Sequence, residues 1–324
     1  MGKSRHINIP PDVIDWLLEG PAYVRYCTLT DLLGKGERTG EVVAARAAIA
    51  DDRDIRRLLS RRNKSGYWGR PADIRTWWPR KDTTFWVLGM LADFGLDRRN
   101  DKIDTACEYV FSTQHPDGAF GWSDPPVPGD CFTGILVETL AGLGYGRDQR
   151  VKKAYRWLAE RQRHDGGFWC KNRGLPGGPR EDEPSCAMAS LFVLGALAKN
   201  PELKDGDISA RCLEFLLGCW EKRGRIKFAG HDSQIGTGWE KLKYPFTDYR
   251  ILKYLDVASQ FAAVRDKPAV GQMVDLLMSK RDENGRFIPE SIHLCWSDFD
   301  FGQKKNPSRW LTFLVYRILS RLGR

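Results

Sequence analysis

Residues 82–122 read DTTFWVLGMLADFGLDRRNDKIDTACEYVFSTQHPDGAFGW, and residues 130–170 read DCFTGILVETLAGLGYGRDQRVKKAYRWLAERQRHDGGFWC; the two stretches start 48 residues apart and align without a gap. Each opens with an apolar run behind a polar residue, turns through GLD or GYG, and continues as a charged amphipathic run. Each then closes on glycine and aromatic residues. The closure is fullest in RQRHDGGFWCKN, residues 161–172: Gln162 ends the second run, Gly166 and Gly167 turn the chain, and Phe168 and Trp169 follow. Looser copies are STQHPDGAFGW (Gln114, Gly118, Phe120, Trp122), RRNKSGYWG (Gly66, Tyr67, Trp68) and SKRDENGRFIPE (Gly285, Phe287).

Working outward, less regular repeats start at residues 24, 185 and 247, and the half repeat SRWLTFLVYRILSRL ends the sequence. The segment PPDVIDWLLEG before the first copy is placed to pair with that half repeat. Runs such as 185–198 and 130–144 are apolar over much of a helix circumference, as helices buried among neighbours are. The run 148–162 instead carries Val151, Tyr155, Leu158 and Ala159 on one stripe and Arg150, Lys152, Arg156 and Arg163 elsewhere. Apolar helices inside and amphipathic helices outside predict an all-α fold: an α/α toroid, a double ring of about six inner and six outer helices, as one domain over residues 1–324. No alternating strand pattern of useful length competes.

Composition narrows the function classes. Hydrophobic residues are 42% and charged residues 29% of the sequence, with no apolar run of the roughly 18 residues that span a bilayer. The N-terminal MGKSRHINIPPDV lacks the apolar core of a signal peptide, so the expectation is a cytoplasmic protein. Eight cysteines without a C-x2-C pair read mostly as free thiols, with Cys27 and Cys107 as small core residues. The net charge of +9 raises a nucleic-acid partner, densest at Arg56, Arg57, Arg61, Arg62 and Lys64, but the charge is spread over amphipathic helices without a recognised binding motif. A solvated outer face is the simpler account, and no obligate partner is evident.

The run from Gln162 to Trp169, with its degraded copies, resembles the QW repeats of squalene-hopene cyclases and the related repeats of protein prenyltransferase β-subunits. The resemblance implies an α/α toroid with a central cavity that takes an apolar, isoprenoid-derived ligand, at a mouth formed by the N-termini of the inner helices. Asp82, Asp130, Ser185, Thr247 with Asp248, and Ser308 fall at those N-termini, where they also serve as helix caps. The cyclases protonate an alkene with D-x-D-D-T; here Asp82-Thr83-Thr84 and Asp130-Cys131-Phe132-Thr133 stand nearest and lack the paired carboxylates, and SDFDFG, with Asp298 and Asp300, is a D-x-D in a loop. The resemblance makes Asp82, Asp130 and Cys131 the candidate catalytic residues. Trp77, Trp78, Phe85, Trp86, Phe132, Trp239, Trp296 and Trp310 are the aromatic candidates for lining the cavity and stabilising carbocations.

The prenyltransferase side of the resemblance raises zinc. Cys131 and Cys186 open consecutive inner helices, and His164 and Cys170 lie in a closure loop; two thiolates plus an imidazole from this group would suit tetrahedral zinc and leave an open position. Two small buried thiols packing at helix starts is the alternative. Three functions therefore stand: cyclisation or transfer of an isoprenoid, a non-catalytic toroid presenting its basic outer face to a protein or nucleic acid, and a zinc-dependent toroid acting on a thiol or peptide. The insertions GLPGGPREDEP and AGHDSQIGTGWEKLKYP precede inner helices, where loops set selectivity.

Overall fold

Leucine, valine, phenylalanine and alanine cover every side of the run AMASLFVLGAL, so it can form a stable helix only where neighbours surround it. In the computed structural model, which describes residues 9–69, 83–121, 127–169, 183–223, 238–247 and 249–324, this run is a helix with ten of its residues buried. The described residues are all-helical apart from two isolated bridges, and the fold class is the α/α-toroid one that the repeats predict. The chain divides into two compact units, a terminal one (1–61, 93–96 and 240–324) and a central one (62–92 and 97–239).

The central unit contains α5 (Thr84–Asp93, ending in the terminal unit), α6 (Asp101–Ser112), α7 (Asp130–Leu140), α8 (Gln149–Ala159), α9 (Ala187–Leu197) and α10 (Asp207–Glu221). Helices α5, α7 and α9 are the apolar ones, and they run in the same direction. Phe85 meets Phe132 edge to face at 5.7 Å, and further along a Cβ at Gly89 would lie 3.3 Å from Thr139 of α7. Between α7 and α9, a Cβ at Gly134 would lie 2.9 Å from the Phe192 carbonyl carbon, and one at Gly195 would lie 2.6 Å from the Glu138 carboxylate. Glycine at 134 lets α7 approach the backbone of α9, and glycine at 195 leaves room for the Glu138 carboxylate. Helices α6 and α8 bury a stripe each, Ile103, Ala106, Cys107, Val110 and Phe111 in the first, Val151, Ala154, Tyr155 and Leu158 in the second. Asn100 and Asp148 cap these two by accepting from the backbone N–H groups of Lys102 and Arg150 at 3.0 and 2.8 Å.

The closures work as hooks on main-chain atoms. Gln162 donates from one Nε2 to the carbonyls of Gly166, at 2.9 Å, and of Ile208 at the start of α10, at 2.7 Å. Gln114 does the same to Gly118 and to Arg150 in α8, at 2.8 and 3.0 Å. In the earlier copy Arg62 takes the part of glutamine, reaching the carbonyls of Gly66 and Lys102 at 3.2 and 3.1 Å. Gly118 and Gly166 have φ of 107° and 86°, and a Cβ there would press on the backbone of Lys153 and Arg211, so both conformation and space call for glycine. Two residues after each closure glycine, a backbone N–H donates to a hydroxyl on an apolar helix: Trp68 to Thr84, Phe120 to Thr133 and Phe168 to Ser190, at 3.1, 3.0 and 2.9 Å.

The terminal unit holds α1 (Pro11–Leu18), α2 (Ala22–Cys27, continued by a wider turn over Thr28–Leu32), α3 (Gly40–Ile49), α4 (Arg53–Ser60), α11 (Ile251–Ala258), α12 (Pro268–Met278) and α13 (Arg309–Leu322). The same hydroxyl pin recurs, with Phe287 N–H donating to Thr312 at 3.0 Å. The pairing of PPDVIDWLLEG with the last half repeat is present: Arg309 of α13 donates to the Trp16 carbonyl at 2.9 Å. Tyr23 meets Trp310 at 5.6 Å and Asp31 faces Arg317 at 3.6 Å, so the α2 segment and α13 are parallel.

The predicted caps divide. Ser308 caps α13, its Oγ accepting from Leu311 N–H at 3.1 Å. Asp130 instead lies inside the first turn of α7 behind Gly129, the residue before α11 is Arg250, and Cys186 rather than Ser185 caps α9, its sulfur accepting from Ala189 N–H at 3.4 Å. In each case the chain reaches the helix a residue or more away from the position that a cap requires.

Candidate functional site

Because α5, α7 and α9 are parallel, their first turns lie at one end of the central unit, and the closures return to that end. Asp130 is only 1% exposed there. Its Oδ1 accepts from Arg161 Nε at 2.5 Å and its Oδ2 from the Trp169 N–H at 3.0 Å, so one carboxylate joins the first turn of α7 to the end of α8 and to the next closure. Arg161 also lies over the ring of Trp157, 4.5 Å from its centroid. Phe85, Trp86 and Phe132 are buried in the first turns of α5 and α7.

Asp82, Trp77, Trp78 and Cys170 lie outside the described residues. Cys131 and Cys186 are both buried, and Cys186 serves α9 as its cap. His164 is exposed, and its carbonyl accepts from Arg211 at 3.0 Å. Among the described residues no three His, Cys, Asp or Glu side chains converge as a ligand set for a metal. Trp239 is buried in the central unit, its ring 5.1 Å from that of Trp220. Trp296 and Trp310 belong to the terminal unit, inside an aromatic cluster: Trp310 lies 4.8 Å from Phe94, 5.6 Å from Tyr244 and 5.2 Å from Phe313, and Trp296 lies 6.1 Å from Phe299.

The D-x-D loop is structural. Asp298 faces Arg57 and Arg61 at 3.6 and 3.8 Å, which engages two residues of the densest basic patch. Asp300 accepts from Ser308 Oγ at 2.9 Å and from the N–H groups of Arg309 and Trp310 at 2.5 and 3.3 Å; burial raises its carboxyl above the usual range against those bonds. Sequence reasoning did not single out Arg161 as the partner of Asp130, nor Arg62 as a hook. A signal existed for the hydroxyl pins: Thr133, Ser190 and Thr312 are each the fourth residue of their helix.

The family model for the squalene-hopene cyclase C-terminal domain matches residues 72–255, which take in α5 to α10. A drimenyl diphosphate synthase from Streptomyces showdoensis is 32% identical over 125 residues, which are 37% of this chain and 22% of that protein. A squalene–hopene cyclase from Bradyrhizobium diazoefficiens is 27% identical over 182 residues, 55% of this chain and 25% of that protein. The matches thus span about a quarter of those relatives. Among solved structures, a variant of the type II terpene cyclase MstE from Scytonema aligns at 14% identity with a TM-score of 0.43, covering 98% of this chain and 89% of that one. A polysaccharide lyase aligns at 10% identity with a TM-score of 0.47 over 96% of each. Structural likeness at this level says nothing about chemistry.

Proposed function

The chain belongs to the squalene-hopene cyclase C-terminal domain family, and on that premise we propose that it binds an apolar, isoprenoid-derived ligand and cyclises it. The observation that carries this reading is the sealed Asp130 carboxylate, fixed by Arg161 and the Trp169 N–H in the first turn of α7, where Phe132 meets Phe85. Asp82, at the matching position one repeat earlier, is the proton donor in this scheme. A proton from its carboxyl adds to a terminal alkene, the cation moves through the chain as a ring bond forms, and a proton is finally lost to water, from which Asp82 is reprotonated. Phe85, Trp86 and Phe132 present π faces to the cation, and Asp130 offsets its charge. Substrate and product are then isomers.

The test incubates the purified chain with linear isoprenoids of increasing length, with and without a terminal diphosphate, and separates the products by chromatography and mass. A product of unchanged mass and altered retention is expected, absent in Asp82→Asn and reduced about a hundredfold in Asp130→Asn, the scale of losing one preorganised electrostatic group. A folded chain that neither binds nor converts any of them sinks the proposal. Thermal melts of each variant separate lost chemistry from lost fold.

No helix among the described residues is long and apolar enough to cross a membrane.

A further inference from the structure

In three of the four closures a glycine directly follows Asp or Asn: Asp117–Gly118, Asp165–Gly166 and Asn284–Gly285. Such a pair carries its own chemistry. The backbone nitrogen of the second residue can attack the side-chain carbonyl carbon of the first, and glycine, without a Cβ, does not hinder the approach.

Two of the three are guarded. Asp117 accepts from the Ala119 N–H at 2.9 Å and the Trp157 indole at 3.1 Å, and Asp165 accepts from the N–H groups of Ser185 and Gly167 at 2.8 and 3.1 Å. Burial would raise both carboxyls, but these bonds hold them below the usual range, and an ionised carboxylate is a poor electrophile. Asn284 differs on each count. It is exposed, its amide carries no charge, and among the described residues that amide has no hydrogen-bond partner; only its backbone N–H is engaged, donating to Asp282 Oδ1 at 3.0 Å. It is also the one asparagine in the sequence that precedes glycine. Asn63, Asn100 and Asn200 use their side-chain oxygens on backbone N–H groups, and Asn306 precedes Pro307, whose nitrogen has no hydrogen to lose.

The turn at Asn284 touches both ends of the terminal unit's chain. Gly285 has a φ of 78°, its carbonyl accepts from the Tyr316 hydroxyl of α13 at 2.9 Å, and a Cβ on it would lie 3.1 Å from Val13 of α1. Its N–H donates to the Asp282 carbonyl at 3.1 Å. That bond must open before the nitrogen can react, and an exposed turn opens locally while the rest of the chain stays folded.

We propose that Asn284 is a site of spontaneous deamidation in the folded protein. The Gly285 nitrogen bonds to Asn284 Cγ, the Cγ–Nδ2 bond breaks, and the proton from Gly285 leaves with the amine as ammonia. Water then opens the resulting ring at either carbonyl, giving aspartate or isoaspartate; one water enters, one ammonia leaves, and nothing is oxidised. The isoaspartyl chain is longer by a methylene just before Gly285, which moves the glycine from its place between Tyr316 and Val13.

The experiment ages the full chain at mildly alkaline pH, native and in urea, then cuts it with trypsin, which releases residues 282–286 by cleaving after Arg281 and Arg286. Mass spectrometry reads the amide turned acid, and enzymatic methyl transfer reads isoaspartate. The native chain should yield both acidic products of this peptide, more slowly than the chain in urea, while the peptides of Asp117 and Asp165 stay unchanged. Asn284→Gln should accumulate no isoaspartate there, and its melting temperature should hold on ageing while that of the parent falls. Three results overturn the proposal: a native peptide still amidated when the sample in urea is fully converted, isoaspartate forming at Asp117 or Asp165 as fast as at Asn284, or full conversion without a fall in melting temperature.

Discussion

Arg317 and Arg321 of α13 both reach the Asp256 carboxylate of α11, at 2.7 and 3.0 Å, in a site where Asp256 is 6% exposed. Burial alone would raise that carboxyl, but Arg317, Arg321 and Lys253 outweigh it and hold it at about 2, against 3.8 for a free side chain. A depressed folded-state value means that the stabilisation, about 2 kcal/mol from the shift, is fully present above the unfolded value and is lost as pH falls through 3.8 towards 2. Removing one member of such a network leaves buried charge uncompensated, so Asp256→Asn should cost about 3–5 kcal/mol at pH 7. Urea denaturation of parent and variant between pH 6 and pH 2 checks both statements, since the gap between the two curves must narrow at the acid end. The hooks make a second residue-scale prediction. Arg62→Gln should change stability by less than about 0.5 kcal/mol, because glutamine already does this work at residues 114 and 162. Gln162→Ala loses both bonds and should cost about 1–3 kcal/mol by the same measurement.

At the scale of elements, Gly134 and Gly195 both lie where α7 packs on α9, and at Gly134 the near neighbour is backbone. Alanine is the better helix former by about 1 kcal/mol. Even so, Gly134→Ala should destabilise by about 1–3 kcal/mol, because its Cβ would lie 2.9 Å from backbone atoms of Phe192 and Val193, which cannot rotate away; differential scanning calorimetry reads the sign directly. Such close approach was not legible in the sequence, where both glycines sit in runs that look like ordinary apolar helix. The repeat was legible because its closures place glutamine, glycine and aromatic residues at fixed offsets. Arg62 escaped because a guanidinium and a carboxamide share donor geometry but not identity, and residue type is all that pattern reading sees. The pairing of Asp130 with Arg161 escaped for another reason: the two lie 31 residues apart, and only the return of the closure to the start of α7 brings them together.

For the whole molecule, fold class followed from the alternation of fully apolar and one-sided helices, while the proposed chemistry rests on residues that periodicity does not mark. The cysteines give a global check. Cys27, Cys107, Cys131, Cys186, Cys212 and Cys219 are buried thiols outside any disulfide, and Cys295 is partly exposed. Burial pushes the Cys107 thiol up to about 12 and raises Cys27 and Cys212 as well, so these are neutral and unreactive near neutral pH. Brief alkylation of the native chain followed by peptide mapping should modify Cys295 and spare those six, and alkylation in denaturant should reach all eight cysteines of the sequence. Modification of Cys131 or Cys186 at the rate of Cys295 would contradict the described packing.

The hooks carry a consequence for how such a chain changes over generations. Gln114, Gln162 and Arg62 grip backbone oxygens of Arg150, Ile208 and Lys102, two basic residues and one aliphatic, without touching their side chains in these bonds. A latch that closes on what every amino acid shares places no demand on the residue it catches. The receiving positions can therefore change in sequence while the assembly stays fastened, and within this chain the repeats are recognised by their closures rather than by the helices between them.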